Sequence, residues 1–225
     1  MLPLHEDGVT ASGPQSLPRR RVAVPGTNVF GVRVQPGALR ALLQLKALPS
    51  LRARRIPLHR YAHLSSLNDW ARSCSPRDTF ERLVETATAA LLPIVAAAGA
   101  PDSIVTDALE RVHTDQPPHP TVASLAANAG LSPRQFRRRF VEAVDLSPRE
   151  YGNIWRFRRC VLSLLEDHDT AWTRRAVTAG FADQSHLIRE FRRLGGMAPQ
   201  EFVRRLRNVS HAQVWNPTRP EYRRS

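Results

Sequence analysis

Cysteine is almost missing from this chain: Cys74 and Cys160 are the only two in 225 residues. They form no CxxC and have no histidine pair nearby, which argues against a disulfide framework and a structural zinc and fits a reducing compartment. Lysine is scarcer still, Lys46 being the single lysine among 33 basic residues. Long apolar runs are also lacking. The longest, Ala89 to Ala100, is interrupted by Pro93 and is too short to span a bilayer. The N-terminus has no apolar stretch of the secretory type, so the expectation is a cytoplasmic protein without a membrane partner. There is no GxSxG, HExxH or phosphate-binding loop either, and no catalytic residue, metal site or cofactor is expected.

What is abundant is arginine. A hydrophobic content of 42% marks a globular chain, and the net charge is +13. From Thr121 onward 19 arginines stand against 10 acidic residues, leaving +9, whereas the first 120 residues carry +4. The guanidinium fork suits phosphate oxygens and the paired acceptors of guanine. An arginine-biased composition throughout would explain part of this. Charge therefore points to an anionic partner without naming it.

Along the chain, residues 1–20 read as a disordered tail. The stretch RVAV, a PGTN turn and VFGVRV predict a β-hairpin of Val22–Val24 and Val29–Val34, followed by a helix from Ala38 to about Lys46. Residues 48–72 read as irregular with at most one short helix. Ser75-Pro76-Arg77-Asp78 looks like a helix start, with Ser75 as N-cap and proline at the first position. That helix carries Phe80, Leu83, Val84, Ala87 and Leu91 at helical spacing and should kink or stop at Pro93. A further helix is expected from about Pro101 to His113. TDQPPHP, from Thr114 to Pro120, then interrupts helical structure.

Beyond it, one short passage occurs twice, 51 residues apart. GLSPRQFRRRFVEAVDLSPREY (Gly130 to Tyr151) is followed by GFADQSHLIREFRRLGGMAPQEF (Gly180 to Phe202). At that offset Ser132 matches Asp183, Phe136 matches Leu187, Arg138 matches Arg189 and Phe140 matches Phe191. Each copy has a glycine ending one short helix and a small polar residue capping the next, which is basic on one side. In the first copy Thr121 caps a helix that ends at Gly130, and Ser132 to Gln135 form a capping box for a helix reaching about Val144. The second copy expects a helix near Ala171–Ala179, a turn at Gly180, an Asp183 cap, a helix to about Leu194 and a last one from Pro199 to about Arg207. Between the copies Ser147 caps a helix from Pro148 to Glu166, about 28 Å long. That is close to the helical repeat of DNA, about 34 Å, and the pattern implies two helix-turn-helix units reading successive major grooves.

The first residues of the second helix in such a unit reach base edges. With Phe136, Phe140 and Ala143 as the seam, Arg134, Arg137 and Arg138 face outward in the first unit, and Arg139 lies on the flank. With Leu187, Phe191 and Leu194 as the seam, Gln184, Ser185, His186 and Arg189 face outward in the second. Arginine can grip guanine and glutamine can grip adenine, each with two bonds. Arg139, Arg192 and Arg193 are placed for phosphates. For one amphipathic helix a merely solvated arginine face is the better reading. Two at matched positions behind glycine turns favour DNA. His186 has no second ligand in range for a metal, and Trp155 and Trp172 sit at apolar core positions.

These residues carry a resemblance. Val122 to Leu206 resembles the DNA-binding domain of the AraC/XylS family of bacterial transcription regulators, most specifically through GFADQSHLIREFRRLGGMAPQEF and also through SLAANAGLSPRQFRRRF. The resemblance implies a seven-helix domain with two motifs, promoter binding, and base contacts from the seven residues named above. RNA polymerase is a further candidate partner. Two positions depart from the family pattern. Arg175, beside Arg174, stands where the family has an apolar residue, so a weaker local core is expected. The segments VFGVRVQPGALRALL and ARRIPLHRY resemble only the distal part of a family sensor domain. The strands that would close a barrel are missing, which argues against a ligand pocket and a small-molecule effector.

The expected fold is therefore mostly α: a C-terminal seven-helix double helix-turn-helix domain at 99–207, a small α+β sensor-like remnant with a β-hairpin at 21–98, and tails at 1–20 and 208–225. The expected function is sequence-specific, non-enzymatic regulation of transcription. Two alternatives are a nonspecific basic nucleic-acid-binding protein and a DNA-repair enzyme with an appended DNA-binding domain.

Overall fold

The computed structural model describes residues 9–15, 30–44, 52, 54–114, 119–166 and 171–207. Contacts divide the chain into two compact units. The first takes the described residues up to Thr114 together with Pro120–Pro148, and the second takes His119 and Arg149 onward.

The first unit opens with a two-stranded antiparallel ribbon. β1 (Thr10–Ser12) pairs with β2 (Arg55–Pro57), with Ala11 opposite Ile56. Helices α1 (Ala38–Leu42), α2 (Ser65–Ser73) and α3 (Phe80–Ala97) and two three-residue helical turns, Leu58–Arg60 and Ala62–Leu64, accompany it. A ribbon of this size is not stable alone. It packs on Leu43, Ile56, Leu58, Leu64, Leu67 and Ile94, which form one buried cluster. Trp70 Nε1 donates to Thr86 Oγ1 at 2.9 Å, joining α2 to α3.

Here the expectations need correcting in three places. Phe30 to Gln35 is not a strand, and the rest of the expected hairpin, Val22–Val24 and Val29, lies outside the described residues. A β-branched run becomes a strand only with a partner. β2 takes its partner from Thr10–Ser12, inside the expected tail, while Phe30 sets its ring edge-on to Trp70 at 5.6 Å. Ser75 to Asp78 does not start the helix. The segment closes on itself, with Asp78 N–H donating to Ser75 O and Ser75 N–H to Asp78 Oδ2, and Thr79 caps α3 instead. Short polar side chains serve a turn as readily as a helix start. Finally, α3 runs through Pro93 to Ala97. Pro93 is exposed, and the burial of Ala87 and Ile94 on either side offsets the lost hydrogen bond.

The remaining helices of this unit are α4 (Ser103–His113), α5 (Val122–Asn128) and α6 (Pro133–Val144). Asp102 caps α4, and capping boxes Thr121/Ser124 and Ser132/Gln135 open α5 and α6. The buried residues are Val105, Ala108 and Leu109 from α4, Leu125 and Ala126 from α5, and Phe136, Phe140 and Val144 from α6.

In the second unit α7 (Pro148–Glu166) is followed by α8 (Trp172–Ala179), α9 (Gln184–Gly195) and α10 (Pro199–Arg207). Its core comprises Cys160, Leu164, Ala176, Ala179, Phe181, Leu187 and Phe191. Helices α4 to α10 make the seven expected. Arg175 does not leave a gap in this core. It is 1% exposed, donates from a guanidinium nitrogen to Ser163 Oγ at 2.6 Å and lies 5.7 Å over the Trp172 ring, while Arg174 is exposed. A buried guanidinium is tolerated when it is hydrogen-bonded and stacked. Of the expected tails, residues 1–8, 16–20 and 208–225 lie outside the described residues, and the expected disorder of 1–20 is corrected at Thr10–Ser12, which forms β1.

Candidate nucleic-acid interface

Each copy of the repeat builds the same device from local rules. Gly130, with φ +64°, reverses the chain after α5, and Leu131 N–H closes the turn on Ala126 O at 3.0 Å. Gly180, with φ +83°, does so after α8, with Phe181 N–H on Ala176 O at 2.8 Å. Left-handed backbone of this kind favours glycine. At Gly180 space also matters, since a Cβ there would run into the His119 ring, which Arg159 meets through its guanidinium. After each turn a short polar side chain caps the second helix. Ser132 Oγ accepts from Gln135 N–H and Asp183 Oδ1 accepts from His186 N–H. The copies also end alike, because Asp145 and Gly196 take up left-handed backbone as C-caps of α6 and α9.

Burial then divides each second helix into two faces. In α6, Phe136 and Phe140 are fully buried, and Arg134, Arg137 and Arg138 are exposed together on the other side. Arg138 reaches 3.9 Å from Glu142, with both side chains well solvated, so this ion pair adds little. In α9, Leu187 and Phe191 are buried, Ser185, Arg189 and Arg192 are exposed, and Gln184 is half-buried.

Three residues behave differently from the simple outward pattern. His186 turns back on its own motif: its Nδ1 accepts from Ala182 N–H at 3.4 Å and its ring stands edge-on to Phe181 at 5.4 Å. It occupies the place of Gln135 in the first motif, whose amide likewise returns to the start of its helix. Arg139 is bonded through Nε to Asp102 Oδ2 at 2.5 Å. Arg193 donates twice to Glu190 Oε2, at 2.6 and 3.1 Å. Burial alone would raise the Glu190 carboxyl, but the Arg193 hydrogen bond and the charges of Arg193, His186 and Arg156 bring it below the usual carboxylate value.

The partners Asp102, Glu190 and His119 were not singled out from sequence. Glu190 was accessible, lying three residues from Arg193 on one helix. Asp102 and His119 act across 37 and 40 residues, a distance local pattern does not encode. Among the described residues there is no group of three or more histidine, cysteine or carboxylate side chains arranged to hold a metal, and no helix long and apolar enough to cross a membrane.

Residues 125–205 match a family model described as a helix-turn-helix domain. This part of the chain is thus similar to helix-turn-helix domains. A Streptomyces lividans protein described as an AraC-like transcription regulator is 33% identical over 105 residues, or 47% of this chain. The chain spans about a third of that relative's length, 34%. A crystal structure of a DNA-binding transcriptional dual regulator from Escherichia coli K-12 is similar at 24% identity, covering 47% of this chain and 90% of that one with a TM-score of 0.37. The matched span begins inside α5 and ends inside α10, so it takes in both glycine turns and both capped second helices.

Proposed function

We propose that this protein is a sequence-specific DNA-binding transcription regulator that performs no chemistry and acts in the cytoplasm. It inserts α6 and α9 into successive major grooves of a promoter. Arg134, Arg137 and Arg138 read bases from α6, and Gln184, Ser185 and Arg189 read them from α9, with His186 at the edge of that set. Arg192 contacts the phosphate backbone. RNA polymerase is the further partner such a regulator implies.

The observation that carries this reading is the division of faces described above. Two capped helices behind glycine turns each bury one side completely and hold exposed arginine on the other. The relative described as a transcription regulator supports it. The repair-enzyme alternative needs an activated thiol with a depressed pKa. Burial instead pushes Cys160 up to about 11, and burial with the nearby Asp78 charge also raises Cys74.

Selection of binding sites from random duplexes with the full chain tests the proposal. It should recover a consensus with two half-sites, bound tighter than random DNA by ~10³ or more. Equal competition by random DNA would leave only the nonspecific basic binder. If α6 and α9 engage together, shifting one half-site by about half a helical turn should abolish tight binding. Indifference to that shift would rule out simultaneous engagement.

A further inference from the structure

Arg139 of α6 is tied to another helix. Its Nε donates to Asp102 Oδ2 at 2.5 Å, and Asp102 is itself fixed, because its Oδ1 caps α4 by accepting from Val105 N–H at 3.2 Å. The carboxylate is thus shared between the start of α4 and the side of α6. The Arg139 side chain is 44% exposed, against 77% for Arg138 one residue earlier. With Nε held by Asp102, the Arg139 guanidinium has less freedom to follow a phosphate, and its charge is partly offset by the carboxylate beside it.

The second motif supplies an independent observation. At the 51-residue offset Arg138 corresponds to Arg189, and both are exposed arginines. Arg139, however, corresponds to Glu190, and Glu142 corresponds to Arg193. The order of charge is inverted between the motifs at these two places, and Glu190 is occupied by its bonds to Arg193. A site that takes a carboxylate in one motif and a guanidinium in the other does not face a row of phosphates.

We infer that Arg139 is a positioning residue, locked by Asp102 so that α4 sets the angle of α6, and that its place in each motif is reserved for an internal ion pair. This rests on the DNA-reading function proposed above and assigns Arg139 a different duty from the phosphate contact its sequence position suggested.

The test compares the full-length protein with Arg139→Gln, Asp102→Asn and the double variant. Binding is measured on a duplex recovered by the selection and on a random duplex, over roughly 50 to 200 mM salt. Asparagine is as good an N-cap as aspartate, so Asp102→Asn removes the ion pair while keeping the α4 cap. Each single variant should lower the preference for the selected duplex about two- to fivefold, the range of a partly exposed pair. The double variant should lose no more than either single one. Arg139→Gln should leave the salt slope on random DNA unchanged. A slope reduced by about 0.9, with equal weakening on both duplexes, would make Arg139 a phosphate contact and overturn the inference. So would tighter binding by Asp102→Asn on both duplexes with the preference intact. If the wild type showed no preference, the regulator reading would fail, yet the slope on random DNA would still decide the role of Arg139. A protein that binds no DNA would remove both.

Discussion

Replacing Gly180 by alanine separates two costs that the turn of the second motif avoids. The first is backbone strain. Gly180 has φ +83°, a conformation that costs an ordinary L-residue about 1–2 kcal/mol. The second is steric, since the new methyl group would overlap the His119 ring and force it or the backbone aside, an overpacking cost of about 1–3 kcal/mol. Gly180→Ala should therefore destabilise by about 2–5 kcal/mol. At about 2–4 °C per kcal/mol for a chain of this size, the fall in Tm should be measurable by calorimetry. A double-mutant cycle distinguishes the terms. In a His119→Ala background the steric part should disappear and the strain remain, giving a coupling of about 1–3 kcal/mol. Additive losses would show that His119 does not press on this turn. Gly180→Asn, which tolerates left-handed backbone better than alanine, offers no such relief from His119 and should stay destabilised. A Gly180→Ala protein as stable as wild type would refute both parts of the reasoning.

Ser132→Ala removes the cap of α6 and should cost about 0.5–2 kcal/mol in chemical denaturation, with more loss of DNA preference than of fold. Arg138→Ala should leave stability unchanged, because its pair with Glu142 is solvated, while costing about 1–3 kcal/mol on selected DNA at a single base pair. An equal loss on every sequence would make Arg138 a phosphate contact. Cys160 should resist alkylation near neutral pH until the protein unfolds, because burial raises its thiol to about 11 despite the nearby charge of Arg175. A folded-state pKa above the unfolded 9.0 means the thiol contributes its full stability below pH 9.0 and loses it as pH rises toward about 11. A Cys160→Ala protein should show a shallower alkaline decline over that window.

The parts of the fold that were legible in the sequence are those governed by neighbours within about four residues. Ser132, Asp183 and Thr121 cap helices where their spacing says they should, Gly180 turns the chain where a left-handed residue is needed, and Phe136, Phe140, Leu187 and Phe191 form the buried seams. What escaped depends on partners far along the chain. β1 and β2 pair across about 45 residues, so Phe30–Val34, the described part of the stronger local candidate, lost to Thr10–Ser12. Arg175 reads as a surface charge in any local window, and only Ser163 and the Trp172 ring make its burial workable. Among the interface residues the exposure of Arg134, Arg137, Arg138 and Arg189 followed from helical phase alone. The inward turn of His186 did not, because it depends on the Ala182 amide and the Phe181 ring.

The N-terminal segment also touches the far end of α6. Asp145, the left-handed stop of α6, lies 4.0 Å from the Arg40 guanidinium on α1, and Gly37, just ahead of α1, stands beside the Ala143 carbonyl. The N-terminal segment thus acts as a buttress for the end of α6. Trimming it away to obtain a minimal DNA-binding fragment would strip support from α6 while sparing the core of Cys160, Leu187 and Phe191, and the two half-sites would then be read with unequal strength.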